Sequence, residues 1–289
     1  MAGREGHPRV LDNCTEHFVQ QRLDHFGSSA PRQTFPQRYF MCATAVDWAP
    51  GDPVFLYLGN EADVELYLNA IGLMWEWGPS FRARLIFVEH RYFGKSLPEE
   101  KRRDHQWDFL TTDQALADYA AFVAMLRDDI LDTHISPIFG FGGSYGGMLC
   151  AWLRISAPWT IDACLAASAP IMSFMGLDPP VNPNFFADAV TRDASSAGGS
   201  KDACKDRIHD AWSTILQDGS SQEGLDGLKQ SFGLCSSPKS PWDLVFWLSS
   251  AFDYMAMGSY PYESSYVLNG RGFMPPYPLR KACGSIAAA

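Results

Sequence analysis

The sequence predicts an α/β protein: a mostly parallel sheet with helices on both faces, followed by a helical region. Three observations carry this reading. Short apolar runs recur, they alternate with segments of helical period, and the composition turns polar and loop-rich after Pro170. Brief runs with no polar alternation suit parallel strands buried on both faces.

Taken in order, residues 1–50 form an irregular lead-in followed by strand-like stretches, notably 38–45. The first clear strand is PVFLYLGNE, Pro53 to Glu61, closed by a glycine. Residues 64–77 are aromatic-rich and predict a helix stopped by Gly78-Pro79, because proline lacks the N–H that a further turn needs. A second strand follows within ARLIFVEHRYFG, 83–94. Thr111–Leu131 is the clearest helix: Ala115, Leu116, Tyr119, Phe122, Val123 and Leu126 recur near the helical period, with Thr112 as its cap. Pro137–Phe141 is the third strand, Ser144–Ser156 a glycine-led helix and Ala163–Ala167 the fourth strand. Beyond these, 176–200 is rich in Pro, Asn, Ser and Gly. Residues 201–230 read as one or two helices, 242–257 as an aromatic-rich helix, and the remainder as loop. The expected boundary near residue 175 divides the chain into 1–175, carrying the sheet, and 176–289, a helical cap.

Composition narrows the function classes. With 46% apolar and 19% charged residues, the 289-residue chain holds a core and is not disordered throughout. A formal charge of −10 argues against nucleic acid as a partner, which calls for a basic stripe. No apolar run is long enough to predict a membrane helix. The first residues show no apolar stretch of a signal peptide, yet Asn13-Cys14-Thr15 satisfies the glycosylation pattern. Of seven cysteines, Cys204, Cys235 and Cys283 fall in a polar region and predict at least one disulfide, whereas Cys150 and Cys164 lie in apolar runs and read as small core residues. No cysteine or histidine spacing predicts a metal site, and no cofactor is expected.

The strongest chemical signal is FGFGGSYGGM, 139–148, in which Gly142-Gly143-Ser144-Tyr145-Gly146 fits G-x-S-x-G. It follows a short strand and opens a helix, the setting in which a sharp turn lifts a serine hydroxyl above the sheet. Gly142 and Gly146 supply room for helix and strand to approach. Ser144 is therefore the candidate nucleophile, and the backbone N–H of Tyr145 the candidate oxyanion donor. A second donor is expected from the turn at Leu58-Gly59-Asn60-Glu61. A phosphate-binding loop fits worse, since neither its Lys-Ser/Thr ending nor a dinucleotide glycine spacing is present.

The partners of such a serine are harder to find. In this order the acid and histidine follow the nucleophile. Only His209 does, in a charged helical segment that reads as solvated. His90 and His105 stand nearer the strand ends but would demand another chain order, and Asp162, Asp178 and Asp188 are acids without an evident base.

Several segments together resemble peptidase family S28: QQRLDHF (20–26), TFPQRYF (34–40), YLGNEADV (57–64), FVEHRYFGKSLP (87–98), TTDQALADYA (111–120), GGSYGGML (142–149), LAASAPI (165–171) and MGSYPYESSY (257–266). The resemblance implies an α/β-hydrolase fold with an inserted helical cap, C-terminal strands lying beyond this chain, and serine exopeptidase activity beside proline. It is strongest to the family's dipeptidyl-peptidase branch, implying release of N-terminal dipeptides with penultimate Pro or Ala. The alternatives are a Pro-Xaa carboxypeptidase or an inactive homologue with a binding or regulatory role. By resemblance Ser144 matches the nucleophile, Tyr145 the oxyanion position, and Asn60 and Glu61 a segment near the substrate's amino end. For Glu61 a loop-stabilising ion pair is the stronger reading. The family's catalytic Asp and His match no position here, which leaves this chain's own activity in question. The resemblance also implies a lysosomal, secreted or vesicular setting, peptide substrates and a homodimeric full-length form; the glycosylation pattern makes Asn13 the candidate glycan site.

Overall fold

The computed structural model describes residues 13–27, 33–44, 46–98, 107–268 and 271–288. The chain divides into two units, one ending at Met172 and one beginning at Ser173.

Among the described residues the first unit holds six strands: β1 (Cys14–Arg22), β2 (Thr34–Cys42), β3 (Val54–Leu58), β4 (Arg84–Val88), β5 (Ile138–Gly143) and β6 (Ala163–Ala167). Its helices are α1 (Val64–Ala70), α2 (Gly72–Phe81), α3 (Thr112–Met125) and α4 (Tyr145–Ser156). The sheet order is β1-β2-β4-β3-β5-β6. The pairs β4/β3, β3/β5 and β5/β6 are parallel, whereas β1/β2 and β2/β4 are antiparallel. The sheet is thus mixed, of α/β-hydrolase type, with its antiparallel part confined to one side.

Side-chain alternation along β3 explains the layering. Val54, Leu56 and Leu58 join Ile86 and Val88 in a core completed by Ala115, Tyr119 and Phe122 of α3 and Leu149 and Leu153 of α4. Their neighbours Phe55 and Tyr57 face the other way, where Tyr57 meets Tyr67 of α1, and Phe55 meets Phe81 of α2. Successive strand residues point to opposite faces, so a run with helices on both sides must be apolar at every position. That is why PVFLYL carries no polar alternation.

Three local expectations are corrected. The 64–77 helix is broken at Ile71, and Gly78-Pro79 does not stop its second part: α2 runs to Phe81 and ends at Arg82, whose N–H bonds the Gly78 and Pro79 carbonyls and whose φ of 57° turns the next N–H, that of Ala83, back to the Gly78 carbonyl. Proline near a helix end forfeits only one bond, so the left-handed residue decides the stop. The cap of α3 is Thr111 rather than Thr112, its side chain accepting from the Gln114 N–H. β1 was hidden because it is a mostly exposed outer strand, CTEHFVQQR, with polar residues on both faces.

The second unit contains α5 (Phe185–Asp193), α6 (Asp202–Asp218), α7 (Gln222–Phe232), α8 (Pro241–Met257) and α9 (Pro278–Ile286). Two apolar clusters hold it together, one of Ile215, Leu225, Leu228, Leu244 and Val245, the other around Ala194, Cys204, Leu279 and Cys283. α9 lies in the stretch expected to be loop.

Disulfides join Cys14 to Cys42, Cys150 to Cys164, and Cys204 to Cys283, while Cys235 is free and exposed. The bridge expected in the 204–283 region is present. The reading of Cys150 and Cys164 as separate core thiols is corrected: α4 docks Cys150 against β6, where Cys164 stands. Cys14 and Cys42 oppose each other across the β1/β2 register.

Candidate active site

The sheet has a switch point. From β3 the chain crosses to β4 on one side, whereas β5 lies on the other side of β3 and leads to β6. In open α/β sheets, ligands bind beyond the strand C-termini at such a reversal. Ser144 follows β5 there, and Asn60 and Glu61 follow the neighbouring β3.

Ser144 sits at φ 53° and ψ −124°, a sparsely populated conformation for an L-residue, between the end of β5 and the start of α4. Its N–H donates to the Ala167 carbonyl at 2.9 Å. The side chain is exposed. The surrounding glycines are required by close backbone approach: a Cβ on Gly142 would lie 2.1 Å from the Gly146 carbonyl oxygen, and one on Gly146 would lie 2.7 Å from the Leu58 carbonyl oxygen. The turn can therefore tighten until α4 rests on the end of β3.

Tyr145 begins α4, so its N–H has no intrahelical acceptor and points out of the positive end of the helix dipole. Its phenol stands 3.4 Å from both Thr112 Oγ1 and His90 Nε2. Burial raises the Tyr145 pKa, and the carboxylate of Glu61 adds to the rise. His90 is 1% exposed, and its Nδ1 lies 2.7 Å from the Arg91 carbonyl. A carbonyl only accepts, which assigns the proton to Nδ1 and leaves Nε2 to accept from the Tyr145 hydroxyl. Burial holds the His90 pKa below its usual value.

The 58–61 turn is held on several sides. Gly59 donates to the Val88 carbonyl at 2.9 Å, and the buried Tyr119 hydroxyl donates to the Gly59 carbonyl at 2.6 Å. Asn60 is 4% exposed and donates from Nδ2 to the Gly143 carbonyl at 3.2 Å. Its carboxamide is thus turned into the protein. Glu61 is exposed at the same rim.

Charged residues missed as functional candidates build the support. Glu89 and Arg38 are both fully buried and form an ion pair. Glu89 also accepts from the backbone N–H groups of Val64, Lys95 and Ser96 and from the Ser96 hydroxyl. Arg38 further pairs with Glu16, Asp63 and Glu65. Beside them Arg91 forms a two-bond pair with Asp118, which also meets His25 Nε2 at 2.7 Å. The available signal was EHR placed directly after an apolar strand: charges there are either solvated or, as here, paired beneath the loops.

The remaining candidates are elsewhere. Asp162 accepts from the Ile138 N–H, at the opposite end of β5 from Ser144. Asp188 accepts from Asn182 in the second unit, and His209 is exposed beside Asp210. His105 lies outside the described residues. Among the described residues no histidine hydrogen-bonds Ser144, since His17, His25, His90 and His134 engage Thr15, Asp118, Arg91 with Tyr145, and Asp128 respectively. Asn13 is exposed at the start of β1. No helix among the described residues is long and apolar enough to cross a membrane.

Comparison with known proteins gives the lineage. The profile of the family described as Serine carboxypeptidase S28 matches residues 21–287. The chain is 35% identical over 283 residues to the human lysosomal Pro-X carboxypeptidase, covering 96% of this chain and 54% of that protein. The bovine protein of the same name matches with the same identity and coverage. Prolyl carboxy peptidase like protein 5 of Caenorhabditis elegans is 32% identical over 281 residues, covering 93% of this chain and 52% of that protein. The chain thus spans about half the length of the relatives it matches. These relatives are carboxypeptidases by name, which overturns the expected dipeptidyl-peptidase activity. A serine on a strained strand-to-helix turn, glycines forced by backbone approach and a profile match across both units lead to one lineage: the chain belongs to the Serine carboxypeptidase S28 family, a family of serine peptidases.

Proposed function

We propose that this chain carries the nucleophile and oxyanion wall of a serine carboxypeptidase that removes a C-terminal residue following proline. The observation that carries the reading is Ser144, exposed at φ 53° ahead of the α4 N-terminus, in a chain 35% identical to a Pro-X carboxypeptidase. Ser144 Oγ attacks the scissile carbonyl, the Tyr145 N–H takes up charge on its oxygen, and water hydrolyses the acyl-enzyme after the terminal amino acid departs. The departing side carries a carboxylate, so the exposed Glu61 belongs on the acyl side, where like charge does not oppose binding. The general base and its orienting acid come from polypeptide outside the described residues.

Setting and partners follow. Three disulfides suit an oxidising compartment, and the matched human protein is named lysosomal, supporting a lysosomal or secretory location. Exposed Asn13 is the glycan acceptor in that setting. Homodimerisation of the full-length form belongs to the same reading.

The test pairs a covalent probe with two substrates. Protein expressed from the full coding sequence should label with a fluorophosphonate, lose labelling in Ser144→Ala, and cleave an N-acylated Pro-Phe. The 289 residues expressed alone should label little. Strong Ser144-dependent labelling of these residues alone would place the base within them. Cleavage of a free-amine dipeptidyl amide, with the N-acylated peptide untouched, would sink the carboxypeptidase reading.

A further inference from the structure

The peptide unit between Gly143 and Ser144 is held at both poles. On one side the Ser144 N–H donates to Ala167 of β6 at 2.9 Å, continuing the β5/β6 ladder. On the other side the ladder has ended: β3 and β5 pair only as far as Tyr57 opposite Phe141, and the Gly59 N–H serves the β4 side, bonding Val88. The Gly143 carbonyl therefore has no β3 backbone donor. Asn60 supplies one from its side chain, Nδ2 lying 3.2 Å from that carbonyl.

This bond comes with an unfavourable companion. Asn60 Oδ1 is buried and has no hydrogen-bond partner among the described residues. Leucine, similar in size, would leave no orphan acceptor there. The donated bond is therefore what an asparagine supplies at this position and an apolar side chain does not.

We propose that Asn60 is a positioning residue: its side-chain amide replaces the missing strand donor, clamps the 143–144 peptide, and so holds the left-handed φ of Ser144 and the aim of the Tyr145 N–H. Asn60 touches no substrate in this role. The clamp bears on catalysis only if Ser144 is the nucleophile proposed above, but it is readable without turnover.

The experiment is hydrogen exchange at the Ser144 amide in the full chain, with amides of α3 as the control for an intact fold. Asn60→Leu should speed exchange at Ser144 by about ten-fold or more while leaving α3 amides and the melting temperature unchanged or improved, a combination that lost packing cannot produce. Asn60→Asp is close to isosteric but cannot donate once ionised. Burial favours its neutral form, so it should match wild type while the carboxyl is protonated and behave like Asn60→Leu once rising pH ionises it. Ser144 protection unchanged in Asn60→Leu, or in Asn60→Asp at a pH where its carboxyl is ionised, would overturn the clamp. Exchange behaving as expected in a protein whose Ser144 never labels would refute the nucleophile reading and leave the clamp standing.

Discussion

At Ser144 the backbone holds a conformation that costs about 1–3 kcal/mol, and it persists because its surroundings over-determine it. The serine was legible from sequence because the turn is built from adjacent residues: glycines on either side of it, a strand before and a helix after. Asn60 lay in a recognised segment, yet the direction of its carboxamide depends on which strand lies beside β3. His90 shows the same limit, since its partner Tyr145 is 55 residues away. His90 also makes a pH prediction. Its pKa is lowered by burial, so the unfolded chain binds a proton there more readily than the folded one. That contribution is complete above the unfolded value of about 6.5 and is lost as pH falls toward the lower folded value. The urea midpoint should therefore fall between neutral and mildly acidic pH, and His90→Gln should flatten that part of the dependence. An unchanged profile in His90→Gln would show that other groups produce it.

Among elements, the alternation of apolar strands with periodic helices could be read because burial on both faces leaves a continuous signature. β1 and α9 could not, for different reasons. β1 is polar and, among the described residues, pairs only with β2, so neither period marks it. α9 contributes Leu279 and Cys283 to a core whose other members lie far off in sequence, including Ala194 and Cys204. The Cys150–Cys164 bridge likewise exists only after docking. Gly140 makes the space, since a Cβ there would stand 2.8 Å from Cys150 Sγ. This bridge ties α4, the helix that begins at the oxyanion donor, to β6, the strand that holds the Ser144 N–H. Replacing both cysteines by alanine should cost about 3 kcal/mol in denaturant unfolding, given their separation of 14 residues. A loss below about 1 kcal/mol would mean that packing alone seats α4.

For the molecule as a whole, the two units draw stability from different sources. The first has a layered sheet; the second has small helical clusters and the Cys204–Cys283 bridge, which spans 79 residues. Such a loop predicts about 4.5 kcal/mol of stabilisation through the unfolded chain, more than the shorter Cys150–Cys164 loop. Cys204→Ala with Cys283→Ala should therefore unfold the second unit at lower denaturant while far-ultraviolet signal from the sheet persists. A single transition in which both units fail together would show that they are coupled. The sequence by itself determined the alternation of β3 to β6 with the α3 and α4 helices, the serine turn and the lineage, because each is written in neighbouring residues or in short motifs. Only the tertiary structure decided which side chains meet: Asn60 with Gly143 across 83 residues, His90 with Tyr145, and each cysteine with its partner. Those meetings depend on strand order and helix docking, in which distance along the chain says little about distance in space.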